Sequence, residues 1–145
     1  MGEVIGQQPD LIFILLGTND ARTQGPDPTK TLVHHEETMR NITELRQRLS
    51  RETKARCIWI TPPAVDEQQV AGHWGLARFG VGFRNQNLAR VAGIVRDFDG
   101  QAIDAFSHLG TPPRCEFLMG DGLHLTMAGQ KQLALEVIKG WSILA

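Results

Sequence analysis

Two short blocks in this chain hold side chains that could do acid–base chemistry. Asp121-Gly-Leu-His124 puts a carboxylate and an imidazole three residues apart, just ahead of the last helical stretch. On a loop, that spacing lets the carboxylate meet Nδ1 of the imidazole, fix its tautomer and leave Nε2 free as a base. The plain alternative is an acidic turn with an incidental histidine, since a lone DxxH pattern is weak. The second block, Gly17-Thr-Asn-Asp20, closes an apolar run. Gly17 permits a backbone shape or a close approach that a side chain would block, and Asn19 presents a neutral amide donor. A donor fixed at such a point stabilises charge developing on a carbonyl oxygen, an effect of about 3 kcal/mol where it has been measured. A Gly/Asn/Asp turn that merely reverses the chain is the alternative here.

The elements that must position these blocks alternate. Leu11-Ile-Phe-Ile-Leu-Leu16 is a continuous apolar run introduced by Pro9-Asp10, and it fits a strand covered on both faces. After the Gly25-Pro-Asp-Pro28 loop, Leu32, Met39, Ile42, Leu45 and Leu49 recur at helical spacing, which predicts an amphipathic helix over 29–52. Cys57-Ile-Trp-Ile60 is a second strand that ends at Thr61-Pro-Pro63. Residues 64–82 are polar and glycine-rich, without a sustained period, and read as a long surface loop or lid. A second helical stripe runs through Leu88, Val91, Ala92, Val95 and Phe98 to Asp99-Gly100, and a third strand is expected at Ala102–Phe106. A last helix, capped by Thr126, carries Leu133, Val137, Ile138, Trp141 and Leu144. Strands alternating with helices imply a parallel sheet with helices packed on it. Ligands bind beyond the carboxyl ends of such strands, and Gly17–Asp20 sits at that end of the first.

Composition sets the bounds. The chain has 145 residues, 41% hydrophobic and 21% charged, with a formal net charge of −1. One domain over residues 1–145 is expected, long enough to bury a core without staples. The balance of charge argues against nucleic acid and anionic membranes as partners. The apolar run at Leu11 is too short for a membrane span, and Met1–Asp10 lacks the pattern of a secretory leader, so a cytoplasmic chain is expected. Cys57 and Cys115 lack metal or disulfide spacing. His34-His-Glu-Glu37 invites a metal reading, but consecutive helix residues point around the axis and cannot converge, so no metal is expected. Without a phosphate-binding glycine loop or a dinucleotide fingerprint, no cofactor is expected either.

Taken together, Pro9 to Asp20 followed by Asp121-Gly-Leu-His-Leu-Thr-Met-Ala-Gly129 resembles the SGNH hydrolase (GDSL esterase/lipase) superfamily over essentially the whole chain. The resemblance implies Asn19 as an oxyanion-hole donor, Gly17 and Thr18 beside it at the substrate, and Asp121 and His124 as the acid and base of a serine triad. It implies a three-layer α/β/α flavodoxin-like fold and a small ester or acetylated sugar as substrate. The family's nucleophile lies in a GDS block on an earlier strand, and another glycine block precedes the GxND strand. Neither is found here: nine residues precede Asp10, where that pattern needs on the order of fifty to sixty. The chain therefore resembles the latter part of the fold, truncated to about three strands.

Two expectations follow. Ser50 and Ser142 read as exposed helix residues, while Ser107, beside His108, is the least implausible replacement nucleophile; Thr18 and Cys115 read as structural. The strand Leu11–Leu16 would be left as an exposed apolar edge, which predicts pairing with a second copy in a homodimer. His73 and Trp74 would either line a cleft or anchor the loop, and Arg78, Arg84 and Asn87 would either contact a polar substrate or, the favoured reading, serve as ordinary surface residues. Beside the esterase stands a reading from another class, a non-catalytic, self-associating module that binds a small acylated or carbohydrate ligand, and a third in which the chain is part of a longer enzyme.

Overall fold

The computed structural model describes residues 2–97 and 102–144. A short helix α1 (Gly2–Gly6) precedes strand β1 (Leu11–Leu15), and a short strand β2 (Arg22–Gln24) follows the Gly17–Asp20 turn. Helix α2 (His35–Glu52) leads into β3 (Arg56–Ile60), which runs parallel to β1 in the register Leu11↔Arg56 through Leu15↔Ile60. The predicted helix starts later than position 29 because residues 29–34 have other partners. Asp27 Oδ1 accepts from Thr29, Thr31 bridges to Thr23, and the Leu32 N–H donates to the Arg22 carbonyl at 2.6 Å.

The stretch 64–82 departs from the expected loop. It contains α3 (Glu67–Gly72), α4 (Trp74–Ala77) and the start of β4 (Val81–Phe83), which pairs antiparallel with β2. Asp66 begins α3 by accepting from the N–H groups of Gln68 and Gln69, and Val65 and Val70 are buried. The signal was present as Asp-x-x-Gln, a helix-start pattern that polar composition and glycine content masked.

Helix α5 (Asn85–Asp97) buries Leu88, Val91, Ala92 and Val95 as its stripe predicts. Phe98 and the Asp99-Gly100 stop lie outside the described residues. The third strand contracts to one residue: Ile103 forms a single parallel bridge to Ile60, its N–H donating to the Trp59 carbonyl at 2.8 Å. The pairing stops because Asp104 caps α6 (Ala105–His108) and turns the chain into a helix. A 3₁₀ turn at Cys115–Phe117 precedes the last helix, α7 (Met127–Leu144). Thr126 caps α7 as expected, its Oγ1 accepting from Gly129 N–H at 3.2 Å.

Alternation along the central strand β3 separates two cores, because successive side chains leave a strand on opposite sides. Trp59 joins Ile14 with Ile42 and Leu49 of α2 and Val95 of α5. Ile58 and Ile60 join Ile103, Ala105 and Leu109, with Leu133 and Val137 of α7 packed against them. A third cluster, described with the site, gathers Ala21, Val65, Val70, Phe83, Leu88 and Val91.

β1 is not covered on both faces as its apolar run suggested. Ile14 is buried, while Phe13 and Leu15 on the opposite face are each 43% exposed. No strand among the described residues pairs with the outer edge of β1. The stripe on α7 divides in the same way: Leu133 and Val137 pack inward, whereas Ile138 and Trp141 stay exposed. Trp141 meets Phe13 edge-on, ring centroids 6.2 Å apart.

Candidate active site

The Asp121–His124 loop is a compact hydrogen-bonded turn. Asp121 Oδ1 accepts from the N–H groups of Leu123 and His124 at 2.9 and 3.0 Å, and Oδ2 lies 2.6 Å from His124 Nδ1. One carboxylate therefore shapes the turn with one oxygen and holds the imidazole with the other. Burial pushes the Asp121 carboxyl up, but the bonds from the His124 ring and from the two N–H groups outweigh it and hold it below the usual carboxylate value. An ionised carboxylate can only accept, so Nδ1 carries the shared proton and Nε2 is the free, basic nitrogen. The His124 side chain is 68% exposed.

The neighbouring chain fixes this loop from both sides. Met119 N–H donates to the His124 carbonyl at 2.7 Å, Leu118 bridges Leu125, and Thr126 binds back to Phe117 and Glu116. On the other side, Asp66 N–H donates to the Gly122 carbonyl at 2.9 Å. Gly122 has φ +70 and lies against Asp66, Gln69 and Val70, so only glycine fits there.

Gly17–Asp20 turns at the carboxyl end of β1. Gly17 has φ +103, and a Cβ there would stand 2.6 Å from Val91 Cγ1, so α5 packs directly under the turn. Ala21 N–H donates to the Gly17 carbonyl, and Arg22 N–H to the Asn19 carbonyl. Asp20 Oδ2 accepts from Thr38 Oγ1 at 3.0 Å, and its carbonyl accepts from Val33 N–H. Asp20 therefore ties the turn to the start of α2, a positioning role the sequence alone did not single out. The Asn19 side chain is exposed beyond this anchored backbone, and Thr18 is half-buried.

The two motif loops rest on one core cluster. Ala21, directly after the first motif, and Leu123, inside the second, both pack with Val65, Val70, Leu88 and Val91. Packing, rather than a hydrogen bond between the loops, sets their relation among the described residues.

The serines are held elsewhere. Ser107 Oγ donates to Asp104 Oδ2 at 2.8 Å, and Ser142 Oγ to the Lys139 carbonyl at 2.7 Å. Ser50 is exposed on α2, and Cys115 lies exposed in the 3₁₀ turn. His108, the neighbour that drew attention to Ser107, faces Glu136 at 3.5 Å. Asn87 is not the surface residue expected: it is buried and donates to the Pro28 carbonyl, while Arg84 pairs with Glu67. Among the described residues no group of three or more His, Cys, Asp or Glu side chains converges on a metal position.

An α/β fold with a parallel strand pair and a carboxylate–imidazole pair on one of its loops is what these elements define. The model of the GDSL-like Lipase/Acylhydrolase family matches residues 1–132, and the chain belongs to that family. It is 28% identical over 141 residues to a GDSL esterase/lipase of Arabidopsis thaliana, covering 91% of this chain and 44% of that protein. Among solved structures it is similar to the lipase/acylhydrolase from Enterococcus faecalis, with a TM-score of 0.69, 20% identity, and coverage of 94% of this chain and 63% of that one. It also resembles a putative platelet activating factor from Streptococcus pneumonia, with a TM-score of 0.68, 20% identity, and coverage of 90% and 58%. The chain therefore spans less than two thirds of the length of each of these relatives. No helix among the described residues is long and apolar enough to cross a membrane.

Proposed function

We propose that this chain is an SGNH-type hydrolase scaffold that acts on carboxylic esters, with a small ester or an acetylated sugar as substrate. The observation that carries the reading is the 2.6 Å contact between Asp121 Oδ2 and His124 Nδ1, made by a carboxylate held ionised. In this reading Asp121 orients the ring, and Nε2 takes the proton of an attacking hydroxyl or water. The carbonyl oxygen then becomes an oxyanion, which Asn19 stabilises with nearby N–H groups of the Gly17–Thr18 turn. His124 afterwards returns the proton to the departing alkoxide, which leaves as the alcohol. This reading takes the fold as a three-layer α/β/α flavodoxin-like arrangement, to whose parallel sheet β1, β3 and the Ile103 bridge would belong.

In this reading the attacking group is a water, or a hydroxyl brought by a complementing segment or by another residue of a partner copy, because Ser107 and Ser142 are bonded elsewhere within the chain. Water attack fits weak turnover, because an oxyanion hole and binding without the serine retain roughly 10³–10⁴-fold over water in serine proteases. The open edge of β1, with Phe13 and Leu15 exposed beside it, supports a homodimer through Leu11–Leu16. A stable monomer in sedimentation at micromolar concentration would overturn the dimer.

The placement of Ser107 on Asp104 favours a second reading, a non-catalytic binding module that uses the same cleft for an acylated or carbohydrate ligand. Hydrolysis of a short-chain p-nitrophenyl ester separates the two. Turnover above buffer and free imidazole that disappears in His124→Ala supports the hydrolase. Equal background rates with ligand binding intact support the binding module.

A further inference from the structure

The exposed end of α4 carries an arrangement that the ester chemistry does not use. Arg78 Cζ lies 4.4 Å from the ring centroid of Trp74 and 4.4 Å from that of Phe79, so the guanidinium is held between two aromatic faces. Yet Trp74 is 68% exposed and Phe79 58%. Large aromatic side chains left this open on a short, glycine-flanked element cost hydration free energy unless something covers them. Leu76, on the same turn, packs into the core cluster that Leu123 joins, so the element is anchored while its outer side faces solvent. Gly80 is fastened to the neighbouring loop by Gly25 N–H, which donates to its carbonyl at 2.8 Å.

The charge of this region differs from that of the chain as a whole. From Gln68 to Arg96 the sequence has no Asp or Glu and four arginines, at 78, 84, 90 and 96, although the complete chain carries −1. Arg84 is paired with Glu67 and Arg96 with Asp104, while among the described residues Arg78 meets the two rings. Asp27, in the adjoining loop, is occupied by Thr29 and lies near Lys30. The whole-chain balance that argued against polyanions does not register this local arrangement, a guanidinium against two exposed aromatic rings.

We propose that Trp74, Arg78 and Phe79 form a docking surface for an anionic lipid interface. The chemistry is complementary on both counts. Trp and Phe gain by entering the headgroup and acyl boundary, and a neighbouring arginine pairs with anionic headgroups. A soluble acidic polymer would satisfy Arg78 but leave the aromatic area in water, so the apolar component selects lipid. The surface and the Asp121–His124 loop rest on the same core cluster through Leu76 and Leu123. Binding itself does not depend on the ester-hydrolase reading.

Co-sedimentation with vesicles tests the proposal without reference to activity. The wild-type chain is expected to bind vesicles of equimolar phosphatidylcholine and phosphatidylglycerol, and to bind phosphatidylcholine alone at least fivefold more weakly. Arg78→Gln should lower partition into the anionic vesicles about fivefold, and Trp74→Ser with Phe79→Ser should lower it further. Circular dichroism on each variant guards against misfolding. Trp74→Phe supplies the companion measurement: the blue shift of tryptophan emission on adding anionic vesicles should be present in the wild type and absent in this variant, which retains Trp59 and Trp141. Failure of the wild type to bind, equal binding by the folded double variant, or a blue shift that survives Trp74→Phe overturns the proposal. So does tighter binding to heparin than to the anionic vesicles.

Discussion

Gly122 lies so close under α3 that a Cβ on it would stand 2.6 Å from Gln69 Cβ and 2.7 Å from the Asp66 carbonyl oxygen. The loop that carries His124 and helix α3, which follows β3, are therefore packed backbone to backbone. Gly122→Ala combines this clash with a backbone angle of +70. We expect a loss of about 1–3 kcal/mol of stability, read by urea unfolding. The imidazole should also be displaced, visible as a changed His124 environment in NMR.

Asp121→Asn keeps an oxygen that can accept from the Leu123 and His124 N–H groups, so the turn should survive. The amide cannot serve as an ionised acceptor for Nδ1–H, and in serine proteases the equivalent change costs about 10⁴-fold in rate. Any esterase turnover of this chain should fall by a comparable order while the far-ultraviolet dichroism stays unchanged. The tautomer of His124, read from ring nitrogen shifts, should change with it.

The same carboxylate makes stability depend on acid. Asp121, Asp104 and Asp66 are all held below the ordinary value of 3.8 in the folded chain. For a depressed carboxyl, the stabilisation is complete above the unfolded value and is lost as pH falls through the lower folded one. Unfolding midpoints should therefore drop steeply below pH 3.8. In Asp121→Asn the slope over that window should be shallower than in the wild type.

His35 acts in a different range. Burial, then Arg90 and His34, push its pKa below the ordinary 6.5, and neither ring nitrogen has a hydrogen-bond partner. The unfolded chain takes up this proton first, so stability should decline as pH falls from 6.5 toward the lower folded value. His35→Leu should flatten this decline while leaving the acid transition of the carboxylates in place. A urea series at several pH values checks both.

Gly17 and Val91 should be coupled. Gly17→Ala should destabilise by about 1–3 kcal/mol, because its Cβ meets Val91 Cγ1 and its backbone angle is positive. Val91→Ala should cost a similar amount through its cavity. The double variant should lose less than the sum, since removing Cγ1 relieves the clash. A double-mutant cycle by chemical denaturation reads the coupling, and simple additivity would contradict the packing described.

The parts of the fold legible in the sequence were those whose period is self-contained. Leu11–Leu16 and Cys57–Ile60 were readable as apolar runs, within a residue of the observed Leu11–Leu15 and Arg56–Ile60, and Leu88, Val91 and Val95 as a helical stripe. What escaped depends on partners distant in sequence. β2 and β4 exist because Arg22–Gln24 lies against Val81–Phe83, and Ile103 stops after one bridge because Asp104 is claimed by Arg96, Thr61 and Ser107. At the candidate site, the Asp121–His124 contact was anticipated from spacing. The support that Asp66 gives Gly122, and that Thr38 gives Asp20, was not, because neither pair is adjacent in the sequence.

The outer edge of β1 has a polarity, and that polarity constrains what could complete the site. A strand that adds parallel to Leu11–Leu15 delivers its own carboxyl end, and the residues after it, beside the Gly17–Asn19 turn. A copy of this chain related by a two-fold axis normal to the sheet adds antiparallel and brings the residues ahead of its own Leu11 there instead. Direction of addition, more than affinity for the edge, thus decides which end of a newcomer lies beside the Gly17–Asn19 turn.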